Sequence, residues 1–216
     1  MGAMSLRSVR TLEFSALFIG LPLLLGWQGE AMRRWLIPQI LLVAAVMLVV
    51  LWRDPAFDRR QLRALPRHWR PCLTRIALLL VLGGAGVLAL AVQFPQVDAF
   101  AFPRERPGLW LLVLLMYPLV SATAQELVFR VFLFHRYRDL IPDPNAMMLA
   151  SAGVFGLAHA QLGNAVAPLL SCVGGLLFAY TFHKTRSLPL VALEHGLWGD
   201  WLFTLGLGVY FYGGHL

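Results

Sequence analysis

The chain has 216 residues, 59% of them hydrophobic and only 13% charged, and its mean hydropathy is +0.69. A soluble domain is nearer about 45–50% apolar and about 25% charged, so an ordinary soluble core is excluded. The formal charge of +7 comes from 18 basic residues, all arginine except Lys184. They lie between apolar runs rather than on one face, which argues against nucleic acid as a partner and for membrane topology.

The predicted architecture is all-α: a polytopic membrane bundle of about seven transmembrane helices, with residues 1–216 forming one membrane domain. The opening Met-Gly-Ala-Met reads as added residues (1–3) ahead of a native Met4, and no cleavable signal is evident. The expected spans are Phe14–Trp27, Trp35–Trp52, Ile76–Phe94, Leu109–Ala124, Ala146–Leu162, Ala165–Phe182 and Leu188–Leu207. The first is short and is expected to begin nearer Thr11, and the fourth to continue as helix toward Tyr137. Trp27, Trp35, Trp52 and Trp110 stand at span ends, where indole rings favour the headgroup level. The longest connection, from Arg53 to Arg75, carries seven arginines and three prolines and reads as a broken interfacial segment anchoring the inner face. Gly83, Gly84, Gly86, Gly174 and Gly175 read as close helix packing. Neither Cys72 nor Cys172 has a metal or CxxC spacing.

Alternation of the spans sets the orientation. With the N-terminus inside, Arg7, Arg10, the seven loop arginines, Arg136, Arg138, Lys184 and Arg186 make 13 inner basic residues. Arg33, Arg34, Arg104 and Arg106 make 4 outer ones, and Arg130 lies near a helix end. This asymmetry predicts an inner-membrane protein with its N-terminus in the cytoplasm and its C-terminus outside.

Ionisable groups within apolar spans are costly and therefore mark candidate function. The fourth span carries Gln125, Glu126 and Arg130, the fifth His159, and the seventh Glu194, His195 and Asp200. Glu126 and Arg130 are four residues apart on one helix face, which suits an ion pair, with or without a role in shaping a site. Carboxylate, amide and imidazole groups from three helices would satisfy one another in a shared cavity. That set fits peptide hydrolysis, in which a carboxylate activates water while imidazoles orient it, stabilise an oxyanion or hold a metal. No HExxH or GxSxG is present. Ser121 and Ser151 lie near the polar residues, but small hydroxyls are ordinary in membrane helices. By rise along each helix, Gln125 and His195 fall in the inner half of the membrane, and His159 further out.

Three motifs in order resemble the CAAX protease and bacteriocin-processing (CPBP, or Abi) family of intramembrane proteases. Gln125-Glu126-Leu127-Val128-Phe129-Arg130 resembles its Glu-Glu-x-x-x-Arg, Phe155 to His159 its Phe-x-x-x-His, and His195 to Gly199 its His-x-x-x-Asn. The resemblance covers roughly residues 107–207. It implies a glutamate-activated water at position 125, support from Glu126 and Arg130, and His159 and His195 as the site imidazoles. No cofactor is implied, and the absence of a clear third ligand favours a metal-free mechanism over zinc.

Two departures stand out. Gln125 is an amide, which cannot serve as a general base. Engineered inactivation, a natural pseudoenzyme, or a takeover by Glu126 or Glu194 would each account for it, and the first is preferred. Gly199 stands where Asn is expected; Asp200 is one residue on, about 100° around the helix. The expected partners are the lipid bilayer and a membrane-associated peptide or protein. The arginine-rich composition points to a bacterial genome, so a C-terminal sorting signal is preferred to a prenylated motif or a bacteriocin leader. The alternatives are a non-catalytic peptide-binding pseudoprotease or scaffold, and a small transporter or proton relay.

Overall fold

The computed structural model describes residues 5–29, 34–93 and 97–211. The expected added residues 1–3, Arg33 and the expected span end at Phe94 lie outside them. Among the described residues there are helices and no strand. Counted as unbroken runs they are α1 Leu6–Trp27, α2 Leu36–Arg53, α3 Trp69–Ala91, the short α4 Ala101–Glu105, α5 Pro107–Arg136, α6 Pro144–His159, α7 Val166–Thr185 and α8 Leu188–Thr204. The chain is an all-α membrane helix bundle.

Five of these helices, α1, α2, α3, α5 and α7, are long and apolar enough to cross a membrane. The 16 residues of α6 and 17 of α8 fall below that length, so five spans meet it where about seven are expected. Leu42, Val81, Leu82 and Leu169 are about two-thirds exposed or more on outward helix faces, where lipid rather than water would cover them.

Local chemistry fixes the helix starts. The Asp143 carboxylate accepts the Ala146 N–H at 2.7 Å and Pro144 fills the first turn of α6, where no N–H is needed. Ser187 caps α8 and donates its hydroxyl to the Ala64 carbonyl at 2.8 Å, which ties that start to the basic loop. The Arg53–Arg75 connection is less broken than expected. Helix α3 begins at Trp69, and Pro71 falls within its first turn, where proline leaves the helix intact. Arg75 is therefore a helix residue that reaches into the bundle.

Helix α5 is the centre of the fold. Every residue from Leu127 to Phe134 is buried, packed by α1, α2, α6 and α7. Two stretches of π-helical winding, Tyr117–Ala122 and Leu127–Phe132, flank the α-helical turn Thr123–Glu126. Such local widening re-aims side chains and often marks a functional site.

The Arg136 end of α5 is pinned by charge. Glu13 of α1 takes Arg136 in a bidentate pair, both contacts at 2.7 Å, and accepts the Tyr137 hydroxyl at 3.0 Å. Asp54, capping α2, accepts the His135 Nε2–H at 2.8 Å. Replacing Glu13 by Gln is expected to cost about 1.5–3 kcal/mol, read as a lowered unfolding midpoint in detergent. Arg7→Gln, on an exposed part of the same helix, should leave the midpoint unchanged. The hydrogen bond from His135, with a second from the Ala56 N–H, holds the Asp54 carboxyl below its ordinary range. Its contribution is thus present at neutral pH and fades as pH falls through that lowered value. Asp54→Asn should remove that part of the acid dependence in a melt series.

Candidate active site

The π-widened middle of α5 presents Gln125 and Glu126 in different directions. Gln125 faces a cavity of about 790 Å³ between α2, α3, α5, α6, α7 and α8, within the range of ligand-binding clefts. His159 and His195 face the same cavity, as do Tyr117 and Ser121. Glu126 and Arg130 do not line it; both are fully buried behind its wall.

Glu126 connects the two layers. Its Oε1 accepts the His195 Nδ1–H at 2.7 Å, and its Oε2 lies 3.2 Å from Arg130 Nε. The second contact is an ion pair whose geometry falls short of an aligned hydrogen bond. The Arg130 guanidinium donates to the Gly175 carbonyl at 3.0 Å and lies over the rings of Phe155 and Phe178, 4.4 and 5.5 Å from their centroids. The pair thus joins α5 to α6, α7 and α8, beyond the intrahelical contact expected from its spacing.

His195 is held on every side. Beyond the Nδ1 bond, its Nε2 meets the Tyr117 hydroxyl at 2.9 Å. Its ring stacks on Phe178 at 4.6 Å and meets Phe155 edge-on at 5.5 Å. Since Nδ1 faces a carboxylate, it carries the proton, which leaves Nε2 to meet the Tyr117 hydroxyl. His159 donates Nδ1–H to the Phe155 carbonyl at 2.8 Å, which leaves its Nε2 lone pair uncommitted in the neutral ring. Phe155 touches both imidazoles, so the depth difference expected between His159 and His195 is bridged by one ring.

The remaining polar residues divide sharply. Gln125 donates to Ser121 Oγ at 2.8 Å. Ser151 is buried and donates to the Phe129 carbonyl at 2.7 Å, away from the cavity. Glu194 is buried but turned to Arg75, 3.0 Å away, which also bonds Thr181. Asp200 lies off the cavity lining as well. Neither Glu126 nor Glu194 is therefore placed to replace a base at position 125. Among the described residues, no group of three or more His, Cys, Asp and Glu side chains converges as a metal site.

Residues 107–199 match the family model described as Type II CAAX prenyl endopeptidase Rce1-like. The match covers less than half of the chain, and it agrees with the resemblance to CAAX proteases drawn from the three motifs. No curated protein and no solved structure gives a match. The match supports an intramembrane endopeptidase in a multi-pass membrane protein. The match begins at the first residue of α5 and ends at Gly199, so it spans all three motifs.

Gly199, which stands where the resembled motif has Asn, is closely approached by Tyr117. A Cβ there would lie 2.1 Å from the Tyr117 ring and 2.7 Å from its hydroxyl. Tyr117 thus occupies the space of the missing side chain and meets His195 from it. Sequence reasoning passes over Tyr117 because a tyrosine in an apolar span usually reads as an interface anchor. The accompanying Pro118, with the π-helical turn it opens, is the only local signal. Gly199→Ala is expected to destabilise by about 1–3 kcal/mol through overpacking. Combining it with Tyr117→Ala should recover most of that loss, since the clash is then removed. Thermal unfolding of the two single variants and the pair checks this, and additive losses would contradict it.

Proposed function

We propose that this protein is a glutamic-type intramembrane endopeptidase whose base position is disabled by Gln125, and that its substrate is a membrane-associated peptide, with a C-terminal sorting signal preferred. The observation that carries the reading is the joint exposure of Gln125, His159 and His195 to one largely apolar cavity, with Glu126 and Arg130 locked behind them.

With glutamate at position 125, the carboxylate takes a proton from a bound water as the oxygen attacks the peptide carbonyl carbon. His159 Nε2, the uncommitted nitrogen, orients that water. The tetrahedral oxyanion needs a donor. Rotation about the Tyr117 C–O bond swings its proton from His195 Nε2 toward that oxygen. The carboxyl then returns the proton to the leaving amine, giving an acid and an amine. Glu126 fixes the His195 ring, and Arg130 balances the buried charge. Both ring nitrogens of His195 are engaged, by Glu126 and by Tyr117, so of the two site imidazoles His159 alone keeps a free nitrogen, which favours a metal-free route.

With Gln125 in place, the side chain can bind water but cannot take its proton. The amide at this position favours a second reading, a peptide-binding pseudoprotease that holds a segment without cutting it.

Gln125→Glu is expected to cleave co-expressed membrane peptides carrying C-terminal sorting signals. The Gln125 protein should be slower by about 10²–10⁴-fold, the usual effect of general-base catalysis. His159→Ala and His195→Ala in the Gln125→Glu background should each abolish most of that gain. Product analysis by mass spectrometry decides: no cleavage by Gln125→Glu on any such peptide favours the pseudoprotease, and equal cleavage by the Gln125 protein overturns the assignment of the base.

A further inference from the structure

The two ends of the bundle differ, and the cavity belongs to only one of them. Contacts establish which helix ends lie together. Glu13 of α1, Asp54 at the end of α2 and the Arg136 end of α5 form one end, with Ala64 and Ser187 beside them. Gly26 of α1 lies beside Gln161, Trp110 donates to Thr204 at 3.0 Å, and Asn164 donates to the Tyr210 carbonyl at 2.9 Å, forming the other.

The first end is strongly basic. It carries Arg53, Arg59, Arg60, Arg63, Arg67 and Arg70 in and beside the loop, then Arg136, Arg138, Lys184 and Arg186. Among the described residues the second end has only Arg34, Arg104 and Arg106. In short loops this bias places the first end in the cytoplasm.

The cavity is lined from helix halves toward the second end. Its wall takes the start of α2 (Leu36, Ile37), the late half of α3 (Gly83, Val87) and the start of α5 (Leu109, Leu112). It also reaches Gln161 and Phe211, beyond the ends of α6 and α8. Toward the basic end it stops at Phe129, Phe155 and Phe178, and the buried run Leu127–Phe134 lies beneath. Polar groups cluster near that floor, and the wall above them is mainly aliphatic.

We infer that the cavity is entered from the non-cytoplasmic side, and that its occupant is an apolar, membrane-anchored segment of an exported protein that reaches down the aliphatic wall to the polar floor, where the bond is cut. The substrate half rests on the peptidase reading above; the sidedness does not. An aliphatic wall accepts apolar side chains without leaving polar groups unpaired, and most of the hydrogen-bonding groups lie near the floor, around the reacting carbonyl. A chain end presented in the cytoplasm meets the closed, arginine-rich face instead.

The test has two arms. In a Cys72→Ala/Cys172→Ala background, Gln161→Cys and Arg63→Cys are treated with a membrane-impermeant maleimide in spheroplasts, before and after permeabilisation. The expected result is labelling of Gln161→Cys in intact spheroplasts and of Arg63→Cys only after permeabilisation; the reverse pattern overturns the sidedness. In the second arm, Gln125→Glu meets two reporters carrying the same apolar segment, one with its flanking peptide outside and one with it inside. Cleavage confined to the outside reporter supports the assignment, and cleavage of the inside one overturns it. If neither is cut while labelling follows the expected pattern, the peptidase reading and the substrate assignment fall together and the sidedness stands.

Discussion

A carboxylate with no exposed surface, in a helix meant for lipid, must be matched by positive charge and hydrogen bonds, and Glu126 is matched from two directions. Arg130 supplies the charge from the next turn of α5, and His195 supplies the hydrogen bond from α8. Removing one partner of such a pair strands a buried charge at a cost of about 3–5 kcal/mol, so the three groups hold one another in place. Arg130 in turn requires the Gly175 carbonyl and the faces of Phe155 and Phe178. One buried charge therefore dictates where α6, α7 and α8 sit against α5.

The cavity wall follows from that arrangement. With His195 fixed at Nδ1, only Nε2 remains for the cavity side, and Tyr117 meets it there. The tyrosine ring can approach because residue 199 has no side chain. A similar close approach joins α6 and α7, where a Cβ on Gly156 would lie 2.1 Å from Cys172 Sγ. Gln125 faces the cavity because the helix turn that carries it is bounded by π-helical winding on both sides.

Much of this was legible in the residues. Apolar runs located the helices, and the polar residues that stand out within them, Gln125, Glu126, His159 and His195, are those that gather at or behind one cavity. The signal is strong because a bilayer penalises every unmatched polar group. Contacts that depend on helix rotation were not legible. Arg75 reads as one more loop charge until α3 is seen to start at Trp69 and carry it to Glu194. Tyr117 carries no mark of its partner, because its meeting with His195 depends on local π winding and an absent side chain 82 positions later. The division into spans was only partly legible, since α6 and α8, rich in contacts with other helices, are shorter than a full crossing.

The dependence of the site on Glu126 is open to direct measurement by ¹⁵N NMR of histidine-labelled protein in a membrane mimetic, with His195→Ala to assign the ring. The account expects His195 to carry its proton on Nδ1 in a strong hydrogen bond, with that signal displaced in Glu126→Gln and the Nε2 signal displaced in Tyr117→Phe. A ring with Nδ1 unprotonated, or signals indifferent to Glu126→Gln, would contradict it.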